Sequence, residues 1–242
     1  MVNTTLLVMA KDEIRGMKEI MPRISREWVQ QILVVDGQST DGTAEWARDN
    51  GYEVYVQRKP GFRTAYAEVW PMIRGDYVIT FSPDGNSIPE KIEELVQKLD
   101  EGDDMVIVSR YLNDAESQDD TMLSAFGNWF FTKTINVLNG GRYTDAMGIF
   151  RAYDIRLKDT LELDKAEPYS LPEKVFGVTR LSWEPLLSAR AARARLRVSE
   201  IEGSEPPRID GKSRVFPSLW VQLRWGAAYY LQIIIDSTRR RG

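Results

Sequence analysis

The stretch Ile32–Thr43, ILVVDGQSTDGT, joins four apolar residues to a run of acidic, small and hydroxylated ones. This pattern predicts a short buried strand and a tight turn into a helix, which Asp41 is expected to cap near Gly42. Asp36 then lies at the carboxyl end of a strand, where open α/β sheets bind ligands. An ordinary turn, with Asp and Gly serving geometry, is the alternative.

Outward from this stretch, apolar runs alternate with segments of helical spacing. The expected strands are Thr4–Met9, Ile32–Val35, Glu53–Gln57, Asp76–Phe81 and Met105–Ser109, and the expected helices are Arg15–Ser25, Gly42–Asn50, Arg63–Arg74 and Pro89–Leu99. Such alternation predicts an α/β fold with a mostly parallel central sheet and helices on both faces. After about residue 110 the rhythm stops and the chain becomes richer in helix and aromatics.

The composition excludes several chemistries. The 242 residues suit one large α/β domain, and they include no Cys and no His. Thiol nucleophiles, disulfides, His bases and zinc sites built on these residues are therefore excluded. A metal would need oxygen ligands, which favours Mg²⁺, Mn²⁺ or Ca²⁺. Acid–base chemistry would fall to Asp, Glu, Lys or Tyr.

Positive charge is concentrated at the end of an acidic chain. The net charge is −4, yet residues 190–242 contain eleven Arg or Lys and five Asp or Glu. This asymmetry indicates an anionic partner, such as a phosphate, a nucleic acid or a membrane surface. A solvated helix face is the alternative.

Three acidic loops follow three of the expected strands. They contain Asp12-Glu13, the segment from Asp36 to Asp41, and Asp84 with Asn86. In a parallel sheet these loops meet at one edge, where like charges repel unless a cation or polar ligand joins them. The sequence therefore predicts a metal-assisted or ribose-binding site at that edge.

Several motifs in order resemble family 2 glycosyltransferases of the GT-A fold, and especially the polyprenyl-phosphate mannosyl- and glucosyltransferases. The resemblance covers roughly residues 4–215. In the first half of the chain, Asp12-Glu13 matches an N-E pair, Val34–Thr43 matches V-V-D-D-G-S-T-D-G-T, and Gly61–Ala65 matches G-x-x-x-A. Gly75–Val78 matches the lead-in to the D-x-D metal motif, and Ser82–Glu90 matches that motif itself. Further on, Val108–Tyr111 matches G-S-R-Y, Asp145–Arg151 matches D-x-x-x-G-F-R, and Arg208–Arg214 matches R-x-x-G-x-S-K.

Two positions depart from the family pattern. Gly37 replaces the second Asp of the strand-end turn, so Asp36 would carry the nucleoside contact largely alone, and Ser82 replaces the first Asp of D-x-D. The resemblance leaves Asp84 and Asn86 as metal ligands for Mg²⁺ or Mn²⁺, with the nucleotide diphosphate completing the shell. A metal-independent variant is the alternative.

The resemblance also implies roles for the other residues. Glu13 and Asp36 would bind the nucleoside beside Asp84, with a helix-start charge as the alternative for Glu13. The late basic loop, containing Arg208, Lys212 and Arg214, would contact the diphosphate rather than be merely solvated.

The same resemblance places Asp145 as the catalytic carboxylate. It would act as a general base for a hydroxyl acceptor and would orient a phosphate acceptor, while a helix cap is the alternative. Arg151 would bind an acceptor phosphate and Glu184 would be a second acceptor-side carboxylate.

The expected organisation is a glycosyltransferase domain over 1–214, followed by a C-terminal aromatic helix over 215–242. Residues 1–110 would form the nucleotide-binding half and 111–214 the acceptor half. The aromatic segment 215–235 contains Gln222, Arg224 and Gln232. It predicts a helix that packs on the domain or on a second subunit, a helix lying on an anionic membrane surface, or, least favoured, a bilayer span.

The resemblance thus implies an inverting glycosyltransferase that moves a sugar from a UDP- or GDP-sugar to polyprenyl phosphate or another glycan-pathway acceptor. We expect a cytoplasmic protein, peripheral at the membrane face if the C-terminal helix binds lipid, and no nucleic-acid partner. Since Gly37 and Ser82 replace two carboxylates, a non-catalytic nucleotide-sugar-binding protein is the alternative. A nucleotidyltransferase is disfavoured because no glycine-rich loop follows the first strand.

Overall fold

Seven strands form one central sheet in the computed structural model, which describes residues 2–179, 181–211 and 218–238. The strand order is β3-β2-β1-β4-β6-β5-β7. The strands are β1 (Thr4–Ala10), β2 (Gln31–Asp36), β3 (Glu53–Val56), β4 (Tyr77–Phe81), β5 (Met105–Ser109), β6 (Arg151–Asp154) and β7 (Val198–Glu202).

The helices divide between the two faces of this sheet. They are α1 (Ile14–Ile20), α2 (Thr43–Asp49), α3 (Phe62–Val69), α4 (Lys91–Asp100), α5 (Met122–Asn139), α6 (Leu157–Thr160), α7 (Glu167–Phe176), α8 (Glu184–Arg193) and α9 (Leu219–Thr238). Apolar residues of α1, α2 and α4 form the core on one face, and those of α3 and α5 to α9 form the core on the other.

Strand β1 shows why the sheet is buried on both sides. All seven of its residues are buried; Leu6 and Val8 contribute to one core, while Leu7 and Met9 contribute to the other. A strand that must be apolar on both faces is typical of a parallel sheet covered by helices. The predicted α/β architecture is confirmed.

Strand β6 makes the sheet mixed rather than wholly parallel. It runs antiparallel to both β4 and β5, whereas the other neighbouring strands pair in parallel. Because β6 lies between β4 and β5, strands from residues 1–110 and from the later chain share one sheet.

Two predicted helices end earlier than expected. Helix α1 stops at Ile20 and α3 at Val69, and each continues as a three-residue 3₁₀ segment with a proline, Pro22 or Pro71, near its start. A proline ring clashes with the preceding helical turn and donates no backbone N–H, so the α-helices cannot extend past these positions. The predictions Arg15–Ser25 and Arg63–Arg74 were therefore too long.

Helix α9 packs on this chain through its C-terminal part. Asp236 is buried and pairs with Arg190 and Arg193 of α8 at 2.5 Å. Near its middle, Tyr229 bonds to Ser182 through its hydroxyl. The side chains of Leu219 and Trp220, at the beginning of α9, are exposed. No helix among the described residues has the length and apolar character needed to cross a bilayer.

Candidate active site

The three acidic loops meet at one edge of the sheet. Strands β2, β1 and β4 are neighbours and parallel, so the loops after them leave the sheet at the same edge. Helix α1 approaches the third loop so closely that a Cβ on Gly16 would lie 2.0 Å from the carbonyl oxygen of Pro83. Glycine at this position brings the start of α1 against the Asp84 turn.

The first two loops are joined by hydrogen bonds. The Asp12 backbone N–H donates to Ser39 Oγ, and the Thr40 N–H donates to Asp12 Oδ1, both at 2.8 Å. The Glu13 N–H donates to Thr43 Oγ1 at 3.0 Å. These bonds fix the loop after β1 against the start of α2.

Asp41 serves the starts of two helices. Its Oδ1 accepts the backbone N–H of Thr43, and its Oδ2 accepts that of Ile14, each at 3.0 Å. Partial burial works to raise the pKa of Asp41, but the hydrogen bonds from Thr43 and Ile14 outweigh it and lower the pKa. The N-cap position itself falls on Gly42, in a left-handed conformation. The predicted cap was therefore wrong by one residue: Asp41 precedes the N-cap and instead accepts backbone N–H groups at the starts of α1 and α2.

Asp36 and Glu13 are both buried at this edge, with 1% and 7% exposure. Asp36 Oδ1 accepts the Ser39 N–H at 3.0 Å, while its Oδ2 is buried and has no hydrogen-bond partner among the described residues. A buried carboxylate oxygen without a donor is costly, which makes Oδ2 a suitable acceptor for a ligand hydroxyl or N–H.

The Asp84 turn contacts the late basic segment. Arg208 Nη1 donates to Asp84 Oδ2 at 2.5 Å, and the Ile209 N–H donates to the Asp84 carbonyl at 2.9 Å. Gly85 has φ +99°, and a Cβ there would lie 2.9 Å from Ile209 Cγ1. One residue further, Asp210 pairs with Arg15 of α1 at 3.0 Å. The segment 208–211 therefore crosses over the site.

A cavity of about 210 Å³ opens beside this turn. Among its lining residues are Ser82, Asp84, Asn86, Arg110, Met147, Gly148, Glu205 and Arg208. Three predicted site residues, Asp84, Asn86 and Arg208, thus face one cavity. Lys212 and Arg214 lie outside the described residues.

Asp145 lies behind the cavity lining, fully buried, and is bound by Arg110. Arg110 Nε donates to Asp145 Oδ2 at 2.7 Å and Nη2 donates to Oδ1 at 3.2 Å. The backbone N–H of Gly148 also donates to Oδ1, at 3.1 Å. Burial works to raise the pKa of Asp145, but the Arg110 guanidinium outweighs it and holds the pKa below its ordinary value.

Arg151 is placed beneath the site rather than in the cavity. It has no exposed surface, and its guanidinium donates to the carbonyls of Gly148 and Ala146 and to Ser188 Oγ. An acceptor phosphate could bind Arg151 only if these bonds broke. In this arrangement Arg151 supports the turn that follows Asp145.

Glu184 is also buried away from the cavity. Its Oε1 accepts the hydroxyl of Tyr66 at 2.7 Å, and Tyr66 stacks on Trp183 with ring centroids 4.6 Å apart. Burial and the neighbouring Glu184 carboxylate raise the pKa of Tyr66 well above its ordinary value, so the hydroxyl remains a donor. The surroundings of Glu184 are those of the core between α3 and α8.

Sequence reasoning missed three site residues. Arg110 stood in the quoted Val108–Tyr111 motif without an assigned role, and Asp119 and Glu205 gave no local signal. Glu205 lines the cavity and accepts hydrogen bonds from Asn86 at 3.2 Å and from Ser117. Burial raises the pKa of Glu205 against the opposing effect of Arg110.

The comparisons with known proteins concern the family and the fold of the chain. The family model described as Glycosyl transferase family 2 matches residues 29–160. Glycosyltransferase AglJ of Haloferax volcanii is 30% identical over 207 residues, covering 85% of this chain and 64% of that protein. The chain belongs to glycosyl transferase family 2. It spans slightly less than two thirds of the length of AglJ.

Two further similarities concern a polyprenyl-phosphate enzyme and the fold. An undecaprenyl-phosphate mannosyltransferase of Micrococcus luteus is 25% identical over 211 residues, covering 81% of this chain and 82% of that protein. The structure of a glucosyl-3-phosphoglycerate synthase from Mycobacterium tuberculosis, in complex with Mn²⁺, UDP and phosphoglyceric acid, superposes with a TM-score of 0.73. At 16% identity it covers 100% of this chain and 80% of that one. This second similarity supports the GT-A fold.

Proposed function

We propose that the protein transfers a hexose, with inversion, from a nucleoside-diphosphate sugar to polyprenyl phosphate. The observation that carries this proposal is the convergence of Asp84, Asn86, Arg110 and Arg208 on one cavity, at the carboxyl edge of a family 2 sheet. Carboxylate and amide oxygens can bind a cation there, while the guanidinium groups can bind phosphate oxygens.

The nucleoside of the donor would bind at the edge formed by β1 and β2. The support for this placement is the buried Asp36 Oδ2, which lacks a donor among the described residues, and the buried Glu13 in the neighbouring loop of the same edge. UDP or GDP would supply ribose hydroxyls or a base N–H to these carboxylates. Arg208 would then contact the diphosphate, with Lys212 and Arg214 following it in the chain.

The residues at the Asp84 turn fit a hard divalent cation. Asp84 offers a carboxylate, and the side-chain oxygen of Asn86 is buried without a hydrogen-bond partner in the described structure. Mg²⁺ or Mn²⁺ bound there would neutralise the charge that develops on the leaving diphosphate. Asp84 and Asn86 would hold the cation, and Arg208 would add a positive charge to the leaving group.

The state of Asp145 supports an acceptor that is already ionised. A carboxylate whose pKa is lowered, and which is held by two bonds from Arg110, accepts protons poorly. A phosphate monoester needs no deprotonation before its oxygen attacks the anomeric carbon and the bond to the nucleoside diphosphate breaks. Asp145 would position Arg110 and the turn to Gly148 beside that reaction.

An exposed apolar face supports a lipid rather than a small acceptor. On α5 it comprises Met122, Phe126, Trp129 and Phe130, and on α9 it comprises Leu219, Trp220 and Leu223. The two helices run side by side in the same direction: Phe130 stacks on Tyr230, and Asn139 bonds to Ser237 near both C-termini. Helix α5 begins three residues after Asp119, which touches Arg208 of the site. A membrane that contacts the start of α5 would therefore lie near the Arg208 side of the cavity.

The test is a transfer assay with purified protein. Radiolabelled UDP- and GDP-hexoses are incubated with Mn²⁺ or Mg²⁺ and with undecaprenyl phosphate or dolichyl phosphate in detergent micelles; 3-phosphoglycerate serves as a soluble phosphate acceptor. We expect a labelled lipid product and release of the nucleoside diphosphate. Nucleotide-sugar binding with neither transfer nor hydrolysis would instead identify a non-catalytic binding protein.

A further inference from the structure

The guanidinium of Arg208 bridges two carboxylates. It donates from Nη1 to Asp84 Oδ2 at 2.5 Å and from Nε to Asp119 Oδ2 at 2.9 Å. Asp119 belongs to the segment between β5 and α5, and no sequence motif marked it. Two carboxylates are thus gathered around one monovalent cation at the turn where the family pattern places its metal.

Asn86 lies between the same two carboxylates. Its backbone N–H donates to Asp84 Oδ1 at 3.2 Å, and its side-chain Nδ2 donates to Asp119 Oδ2 at 3.0 Å. The residue is 9% exposed, and its Oδ1 is buried without a hydrogen-bond partner in the described part of the chain. Asn86 thus contacts both carboxylates through its N–H groups and keeps one buried oxygen unsatisfied, and carboxylate and amide oxygens are the ligands that a hard cation takes.

The segment that contains Asp119 is fixed to the opposite wall of the site. The Gln118 N–H donates to the Glu205 carbonyl and the Glu205 N–H donates to the Glu116 carbonyl, both at 2.9 Å. Asp119 therefore follows a short bridge between residues 116–118 and the cavity-lining Glu205. A structured backbone, rather than a free surface loop, places this carboxylate against Arg208 and Asn86.

We propose that Asp119 is the second carboxylate of a divalent-cation site formed with Asp84 and Asn86 Oδ1, and that Arg208 is the counter-ion of this site before the cation binds. Asp119 then does what the residue at position 82 does in the family pattern, where this chain has Ser82. The inference rests on the proposed function, because the cation is the one that accompanies the donor diphosphate.

The charges account for an exchange between Arg208 and the cation. Asp84 and Asp119 together carry about two negative charges, which one guanidinium neutralises only in part and a divalent ion neutralises fully. Once released from both carboxylates, Arg208 has its donors free for diphosphate oxygens. Among the described residues no group of three or more acidic side chains converges as a metal site, so the proposed site depends on two carboxylates and one amide oxygen.

The test measures Mn²⁺ affinity by electron paramagnetic resonance and titration calorimetry, with and without UDP or GDP. Asp119→Asn should weaken Mn²⁺ binding by about tenfold or more. The exposed Asp114 lies on the same segment, so Asp114→Asn is the matched control and should leave the affinity unchanged. Arg208→Gln should tighten Mn²⁺ binding in the nucleotide-free protein, because the competing guanidinium is gone.

A compensating variant makes the assignment specific. Ser82 lines the same cavity as Asp84, so Ser82→Asp combined with Asp119→Asn should recover Mn²⁺ affinity if Asp119 replaces the missing carboxylate. Unchanged Mn²⁺ affinity in folded Asp119→Asn, or unchanged affinity in Arg208→Gln, would overturn the proposal. Mn²⁺ binding by the wild type that depends on Asp119, without any nucleotide binding, would uphold the cation site and refute the proposed transferase function.

Discussion

Arg110 forms a two-bond ion pair with Asp145, from Nε to Oδ2 at 2.7 Å and from Nη2 to Oδ1 at 3.2 Å. Asp145 has no exposed side-chain surface, and Arg110 is 21% exposed. The pair therefore joins the end of β5 to the turn that leads into β6. Two segments 35 residues apart in the chain meet at the cavity wall because of this contact.

Asp145→Asn should destabilise the protein, because it leaves a largely buried guanidinium without its charge partner. Removing one member of a buried pair costs about 3–5 kcal/mol. Urea unfolding at pH 7 measures this loss. The exposed Asp114 provides the control, and an Asp145→Asn protein as stable as Asp114→Asn would contradict the role given to the pair.

The stability contribution of Asp145 should also depend on pH. Its folded pKa lies below the ordinary value of 3.8, so the ionised form is favoured by folding. The contribution is complete above the unfolded pKa and is lost as the pH falls through the folded pKa. The difference in unfolding free energy between wild type and Asp145→Asn should be constant from pH 7 to about 5 and shrink below about 4. A constant difference down to pH 2.5 would be the contrary result.

Glu205 should show the opposite pH dependence. Burial raises its folded pKa above the ordinary 4.5, so folding favours the protonated form. The cost of ionising Glu205 in the fold is absent below pH 4.5 and reaches its full value above the folded pKa. Glu205→Gln should therefore gain stability relative to wild type as the pH rises from 4.5 to 8. Urea unfolding at a series of pH values measures this gain. A relative stability that stays flat across this range would refute the assignment.

Gly85→Ala should loosen the crossing segment 208–211. Gly85 has φ +99°, which a residue with a Cβ adopts at a cost of about 1 kcal/mol, and the added Cβ would press on Ile209. For a chain of this size we expect the melting temperature to fall by about 2–4 °C and nucleotide binding to weaken. Gly127→Ala in α5 is the control, since a Cβ added there would meet none of the described residues within 4 Å. Equal nucleotide affinity in both variants would show that the segment 208–211 does not contribute to nucleotide binding.

The first half of the fold could be predicted because its signals are local. Strand β5 has the predicted bounds, Met105–Ser109, since an apolar run between an acidic turn and polar residues marks it. Strand β6, with the sequence Arg-Ala-Tyr-Asp, gave no such signal: its Arg151 is buried by bonds to backbone carbonyls that only the folded chain provides. A pattern of apolar residues cannot indicate that a charged side chain will be buried with its hydrogen bonds satisfied by the backbone.

The site residues also divide into those with a local sequence signal and those without one. Asp36 and Asp84 could be predicted because Asp36 ends the apolar strand β2 and Asp84 lies three residues after the apolar strand β4. Asp119 and Glu205 could not, since their contacts with Asn86 join residues 33 and 119 positions apart. Only the crossing of segments above the sheet brings these carboxylates together, and no single stretch of sequence contains that crossing.

The apolar face on α5 and α9 should bind membranes. Trp220 and Phe126 are 81% and 59% exposed, and Arg239-Arg240-Arg241 follow α9 in the sequence. Exposed aromatic side chains with nearby cations favour the interface of an anionic leaflet. In a vesicle sedimentation assay, the protein should bind phosphatidylglycerol vesicles more tightly than phosphatidylcholine vesicles. Salt at about 0.5 M should weaken that preference, because the Debye length falls to only a few ångström and surface charges are screened.

The double variant Trp220→Ser, Phe126→Ser should lose most of this binding while keeping its far-ultraviolet circular dichroism. Val56→Ser, which changes an exposed apolar residue of the edge strand β3, is the control and should bind like wild type. If the double variant and the control bind vesicles equally, this face does not dock to the membrane, and the lipid acceptor loses its structural support.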